Sequence, residues 1–319
     1  MLNVHAREVT IGLTILALGA VLRVAAPDYF TRENLSDLFL ANLPVLIIAL
    51  GMTLVILTGE IDISVGSVFA VCGVAAGTLA KWHLPMSLVL VASCLVGAWF
   101  GSLNGYLVGY VRIPSIVVTL AMMIASRDAL RWMTQGAWVQ DLPQNFQWLS
   151  LSQHSYPFAA AAIGGSLVAS VAWILRYAAS GRAIYLTGSD SDAARLAGVN
   201  TSLVKLSVFV CTGTLTGLAA LLNSVRFNQI PANAGLGLEM RIIAAVVVGG
   251  AAITGGRGTV AGTLLGVVLM GAIGPALTFM GVTAYWERAI QGAIILMAVV
   301  LDVTRHRRAT YRHDVAATA

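Results

Sequence analysis

Charge is what this sequence has least of. Only 10% of its 319 residues are Asp, Glu, Lys or Arg, and lysine occurs twice, as Lys81 and Lys205. Soluble domains carry about a quarter charged residues, so a water-covered surface is excluded for a chain of this length. Cysteine is nearly as sparse: Cys72, Cys94 and Cys211 sit singly in apolar stretches, which excludes a disulfide framework and a thiolate metal site. The five histidines, His5, His83, His154, His306 and His313, have no paired acid or nucleophile, so an intramembrane enzyme has nothing to work with. Neither lysine follows a glycine in a Walker pattern, and the chain carries no ATPase site of its own. No catalytic residue, cofactor or metal is expected.

Apolar residues fill the space: 58% of the chain is hydrophobic and its mean hydropathy is +0.85. A membrane-crossing helix needs about 20 mostly apolar residues. Ten segments qualify, at 9–26, 38–58, 63–80, 86–111, 113–133, 157–177, 206–225, 242–253, 260–280 and 284–303. They predict an all-α, polytopic integral membrane protein with about ten transmembrane helices, forming one domain over 1–319 with a basic tail at 303–319. The eighth segment reaches spanning length only if Glu239 and Arg241 lie at its mouth, and the turn at Arg112-Ile113-Pro114 is tight enough for the fourth and fifth to read as one bent element. The first segment mimics a signal peptide, but Arg23 interrupts it before the small residues Val24-Ala25-Ala26, so an uncleaved helix is expected.

The net charge of +5 and pI near 9.4 do not mark a nucleic-acid surface, because the basic residues form no stripe with interleaved aromatics. They gather at helix ends. Ten crossings put both termini and the segment 176–205 on one side, which then holds eleven of the nineteen Lys and Arg residues, and the positive-inside rule makes that side cytoplasmic. The long opposite loop at 135–156 has no Lys or Arg and carries Trp138 and Trp148.

Glycine recurs at Gly97, Gly101, Gly105 and Gly109, and again at Gly258, Gly262 and Gly266. Such faces let helix backbones touch in lipid, either within one subunit or at a seam between two copies. An internal echo pairs Leu57-Thr58-Gly59-Glu60 with Ile253-Thr254-Gly255-Gly256. The run Gly256-Arg257-Gly258-Thr259-Val260-Ala261 fits a dinucleotide fingerprint in letters only, since it follows no strand and opens a span. Glu60 and Asp62, between two apolar spans, need a partner, water or a helix start to satisfy their charge. Arg127 with Asp128, Glu239 with Arg241 and Glu287 with Arg288 read as interfacial ion pairs or snorkelling groups.

The most informative stretch is Gly181 to Asn200. Ser189 or Asp190 caps a short helix, Asp192 suits its first turn, Ala193, Ala194 and Arg195 continue it, and Gly198 supplies a left-handed stop. Two turns alone in water are marginal, so this helix must dock on its own subunit or on a partner.

Set in order, these pieces resemble the permease family of bacterial sugar ABC importers that includes the ribose, xylose, rhamnose and autoinducer-2 systems. The likeness runs over about 34–302. It is carried by Gly59-Glu60-Ile61-Asp62-Ile63-Ser64-Val65-Gly66, Asn104-Gly105, Ile113-Pro114, Gly181-Arg182, Ala193-Ala194-Arg195, Gly198-Val199, Gly237-Leu238-Glu239-Met240 and Gly255-Gly256-Arg257-Gly258-Thr259-Val260. The resemblance implies a bacterial inner-membrane subunit paired with a second permease, a cytoplasmic ATP-binding subunit and a periplasmic sugar-binding protein. It makes Asp190, Asp192, Ala193, Ala194, Arg195 and Gly198 the coupling helix that meets the ATPase, and Glu60, Asp62, Asn104 and Glu239 candidates for a pore or folding motif. Gly136-Ala137-Trp138-Val139-Gln140 and Gln229-Ile230-Pro231-Ala232-Asn233 lie closest to rhamnose and autoinducer-2 permeases, with the leaning toward rhamnose. The rival reading is a proton-coupled secondary transporter using Glu60 or Asp62.

Overall fold

The computed structural model describes residues 2–283 and the isolated positions Trp286, Ala289, Ile290, Gly292, Ala293 and Leu296, with side chains described from Glu8 onward. The tenth expected span, the Glu287 and Arg288 pair and the basic tail fall outside these, apart from those few positions.

Among the described residues every regular element is helical. The long helices are α1 (Leu2–Ala25), α2 (Arg32–Leu57), α3 (Val65–Lys81), α4 (Met86–Gly109), α5 (Ser115–Thr134) and α6 (Tyr156–Tyr177). They are followed by α7 (Ala179–Ser189), α8 (Ser191–Leu196), α9 (Thr201–Ser224), α10 (Leu238–Val248) and α11 (Val260–Phe279). Six of these, α1, α2, α4, α6, α9 and α11, are long and apolar enough to cross a membrane. The other expected spans form helices that fail such a test for visible reasons. α3 has 17 residues, α10 has 11, and α5 carries Arg127, Asp128 and Arg131 in its second half.

From Leu43 on, α2 is apolar on all sides and buried to Leu57 apart from the half-buried Leu46, which makes it the hub of the bundle. The glycine row of α4 packs against α9 of the same chain, which overturns the seam reading for this row. A β-carbon at Gly97 would lie 2.0 Å from the Gly213 carbonyl oxygen, and one at Gly101 would lie 2.3 Å from that of Phe209. Ser93 Oγ donates to the Gly217 carbonyl at 2.8 Å in the same groove. The second row closes α11 onto α10 in the same way, with Gly262 against the Gly249 carbonyl. Backbone contact of this kind replaces the hydrophobic drive that lipid removes.

The loops sort into two ends. One end gathers the turns 58–64, 110–114 and 249–259, helices α7 and α8, and the start of α1, where Thr259 Oγ1 donates to Glu8 Oε1 at 2.6 Å. At the other end the loops 135–155 and 225–237 meet, with Val139 and Ile230 exchanging both backbone hydrogen bonds at 2.9 Å. α4 and α5 are separate helices, divided by a turn in which Arg112 takes a left-handed φ of 64°.

Candidate functional site

The short helix forms where its residues require it. Asp190 is extended, and its carboxylate accepts from the amides of Asp192 and Ala193, both at 2.9 Å, satisfying two donors that a first helical turn leaves open. Arg195 pairs with Asp192 three residues back. Gly198 follows the last turn at φ 85° and stops the helix. Ala194 turns inward and is buried, whereas Leu196 is 92% exposed at the tip. Sequence reasoning passed over Leu196, which looks ordinary in a hydrophobic chain.

It also passed over α7, the stem of α8. Near its end, Gly188 lies against the Leu57 carbonyl and the Gly256 amide, leaving no room for a β-carbon. Leu57 and Gly256 belong to the two echo segments, and the Gly256 amide donates to the Leu57 carbonyl at 2.9 Å. The echo is therefore spatial. The turn from α2 to α3 and the turn from α10 to α11 meet back to back, each through a left-handed glycine, Gly59 at φ 80° and Gly255 at φ 88°, and Gly188 rests on their junction. Tyr185 Oη fastens the stem further by donating to the Gly258 carbonyl at 2.8 Å.

Glu60 and Asp62 both find partners. Lys205 Nζ donates to Glu60 Oε1 at 2.5 Å, and both side chains are largely shielded. Asp62 is buried; its Oδ1 accepts from the amide of Ser64 at 2.9 Å and from Ser64 Oγ at 2.6 Å. Asn104 Nδ2 then donates to Ser64 Oγ at 2.9 Å, tying α4 to the turn that starts α3. Burial pushes the Asp62 carboxyl above the usual carboxylate range, and the hydrogen bonds from Ser64 and Asn104 pull against that rise. Of the four candidate pore or folding residues, Glu60, Asp62 and Asn104 lie together at the α8 end. Glu239 lies apart, in the first turn of α10, with Oε2 near Gly66 and without a hydrogen-bond partner. The expected pairs are rearranged: Asp128 pairs with Arg131, Arg127 donates to the Ala234 carbonyl at 3.2 Å, and Arg241 Nη2 donates to Asn42 Oδ1 at 2.8 Å. Among the described residues no cluster of His, Cys, Asp and Glu could hold a metal ion. The fingerprint-like run 256–261 is a turn in which Thr259 caps α11 by accepting from the Gly262 amide at 3.0 Å.

Among the described residues six helices are long and apolar enough to cross a membrane, so the fold is that of a multi-pass membrane protein. Residues 34–299 match the family described as "Branched-chain amino acid transport system / permease component", and the chain belongs to it. As a permease it is a transport component rather than an enzyme. Among its relatives, the "Autoinducer 2 import system permease protein LsrC" of Yersinia pseudotuberculosis serotype IB (strain PB1/+) is 36% identical over 93% of this chain and 84% of its own length. The protein of that name in Photorhabdus luminescens is 34% identical over 93% of this chain and 89% of its own. No solved structure matches the chain significantly.

Proposed function

We propose that the chain is the solute-conducting subunit of an ABC importer, driven by a separate cytoplasmic ATPase through α8 and fed by a periplasmic binding protein. The observation that carries this reading is the seat of Gly188. Any displacement of α8 bears, through its stem, on the junction where the turns of α2–α3 and α10–α11 touch, so a push at the surface is carried toward the buried hub. Ten crossings complete the topology: α1 to α6, α9 to α11, and 284–303. The α8 end, with Arg112, Arg176, Arg182, Arg195, Lys205 and Arg257, then faces the cytoplasm.

The relatives' names move the favoured solute from rhamnose to autoinducer 2. The rival proton-coupled mechanism is not favoured, because Glu60 is paired with Lys205 and Asp62 is engaged by Ser64. Proteoliposomes and radiolabelled autoinducer 2, L-rhamnose, D-ribose and D-xylose separate the two. Uptake of at least one solute requires a co-reconstituted ATPase, binding protein and ATP; uptake by this chain alone under a pH gradient would refute the importer.

A further inference from the structure

Away from α8, the loops after α5 and α9 enclose a cavity of about 350 Å³ over α3. That volume lies near the lower bound of small-molecule pockets, roughly 300–1,000 Å³. Trp138 and Phe227 form its rim, each about half exposed, and Phe69 is buried in its floor. Asn223 and Gln229 also line it, and their side-chain amides have no partner among the described residues. Among the described residues no acidic, basic or histidine side chain lines it. The walls are held by hydrogen bonds between the loops. Val139 and Ile230 clamp the two loops together, Trp148 N donates to the Val225 carbonyl at 2.8 Å, and Gln147 Nε2 donates to Asn228 Oδ1 at 2.8 Å. At Gly73 a β-carbon would lie 3.1 Å from Ser224 Oγ, so that position is bare where the cavity needs depth.

These properties select a ligand. A charged solute would lose its hydration and find no counter-charge among the lining residues; the guanidinium groups next to the lining are engaged, Arg127 at the Ala234 carbonyl and Arg226 over the Phe227 ring. A purely apolar one would leave two amides unsatisfied as it sealed them from water. A sugar has an apolar C–H face and a hydroxyl rim, which match aromatic faces and amides that both donate and accept. We infer that this cavity is the entry vestibule of the permease, which holds one uncharged, polyhydroxylated solute between Trp138 and Phe227 and reads its hydroxyls with Asn223 and Gln229. The assignment rests on the importer reading and specifies where that importer's solute first meets the membrane subunit.

The test places a thiol in the wall as Ala234→Cys, with Cys72, Cys94 and Cys211 replaced by alanine, in the complete importer in right-side-out vesicles. A membrane-impermeant thiol reagent labels Cys at 234, and millimolar amounts of at least one of the four solutes named above slow labelling about fivefold, whereas D-gluconate and 1-octanol do not. Adding Asn223→Ala leaves the unprotected labelling rate unchanged and cuts the protection from about fivefold to below about twofold, as the roughly fivefold weaker affinity left by one lost hydrogen bond requires. Inaccessibility from outside, no protection, protection undiminished by Asn223→Ala, or equal protection by gluconate or octanol would overturn the assignment. ATP-dependent uptake, read in parallel, keeps the claims apart: protection without uptake removes the importer and leaves the vestibule, and uptake without protection does the reverse.

Discussion

Single side chains here earn their place by what they satisfy. Asp62 looks like a proton site in a hydrophobic sequence, yet its carboxylate closes a turn through Ser64, and Asn104 extends the bond to α4. Removing it strands two buried donors, each at a cost of about 1–3 kcal/mol. Asp62→Ala is therefore expected to lower the melting temperature of the detergent-solubilised protein by several degrees, and Asp62→Asn, which keeps an acceptor oxygen, to recover most of the loss. A proton-coupling role predicts the opposite order of interest: normal melting for both variants and transport lost in both. The Glu60 and Lys205 pair was invisible before folding, because the two residues lie 145 positions apart and only the return of α9 to the α2–α3 turn brings them together.

Among the elements, α8 was legible to within a residue or so, with Ser189 and Asp190 both open as its cap, because its stops are local chemistry: Asp190 at one end and Gly198 at the other act within a few bonds of themselves. α7 was not, since Gly181 and Gly188 weaken its helical signal and its stability comes from contact with the α2–α3 and α10–α11 turns rather than from propensity. Among the described residues nine of the ten expected spans coincide with helices, six of them long and apolar enough to cross a membrane, but hydropathy says nothing about partners. It left the glycine row of α4 open between two readings that only the α9 contact separates. Gly198 offers a test of α8 itself. No atom lies within 4 Å of a β-carbon there, so Gly198→Val costs about 1–2 kcal/mol of left-handed strain and no clash. The variant is expected to insert normally and to leave the ATPase active in the assembled importer while uptake falls; unchanged uptake would show that the stop after α8 is dispensable for coupling.

At the scale of the whole molecule, the proposed coupling is a lever on a packed bundle. α4 packs backbone to backbone on α9 and α11 on α10, the two turns meet at the seat of Gly188, and α8 projects beyond it with Leu196 bare. Packed cores of this kind respond as units rather than by local yielding. The most direct measurement is accessibility at that tip. In a background without native cysteines, Leu196→Cys is predicted to react with a membrane-impermeant thiol reagent in inside-out vesicles, to be silent in right-side-out vesicles, and to become shielded when the ATPase subunit is added. Labelling from the right-side-out face, or labelling undiminished by the bound ATPase, would contradict the account.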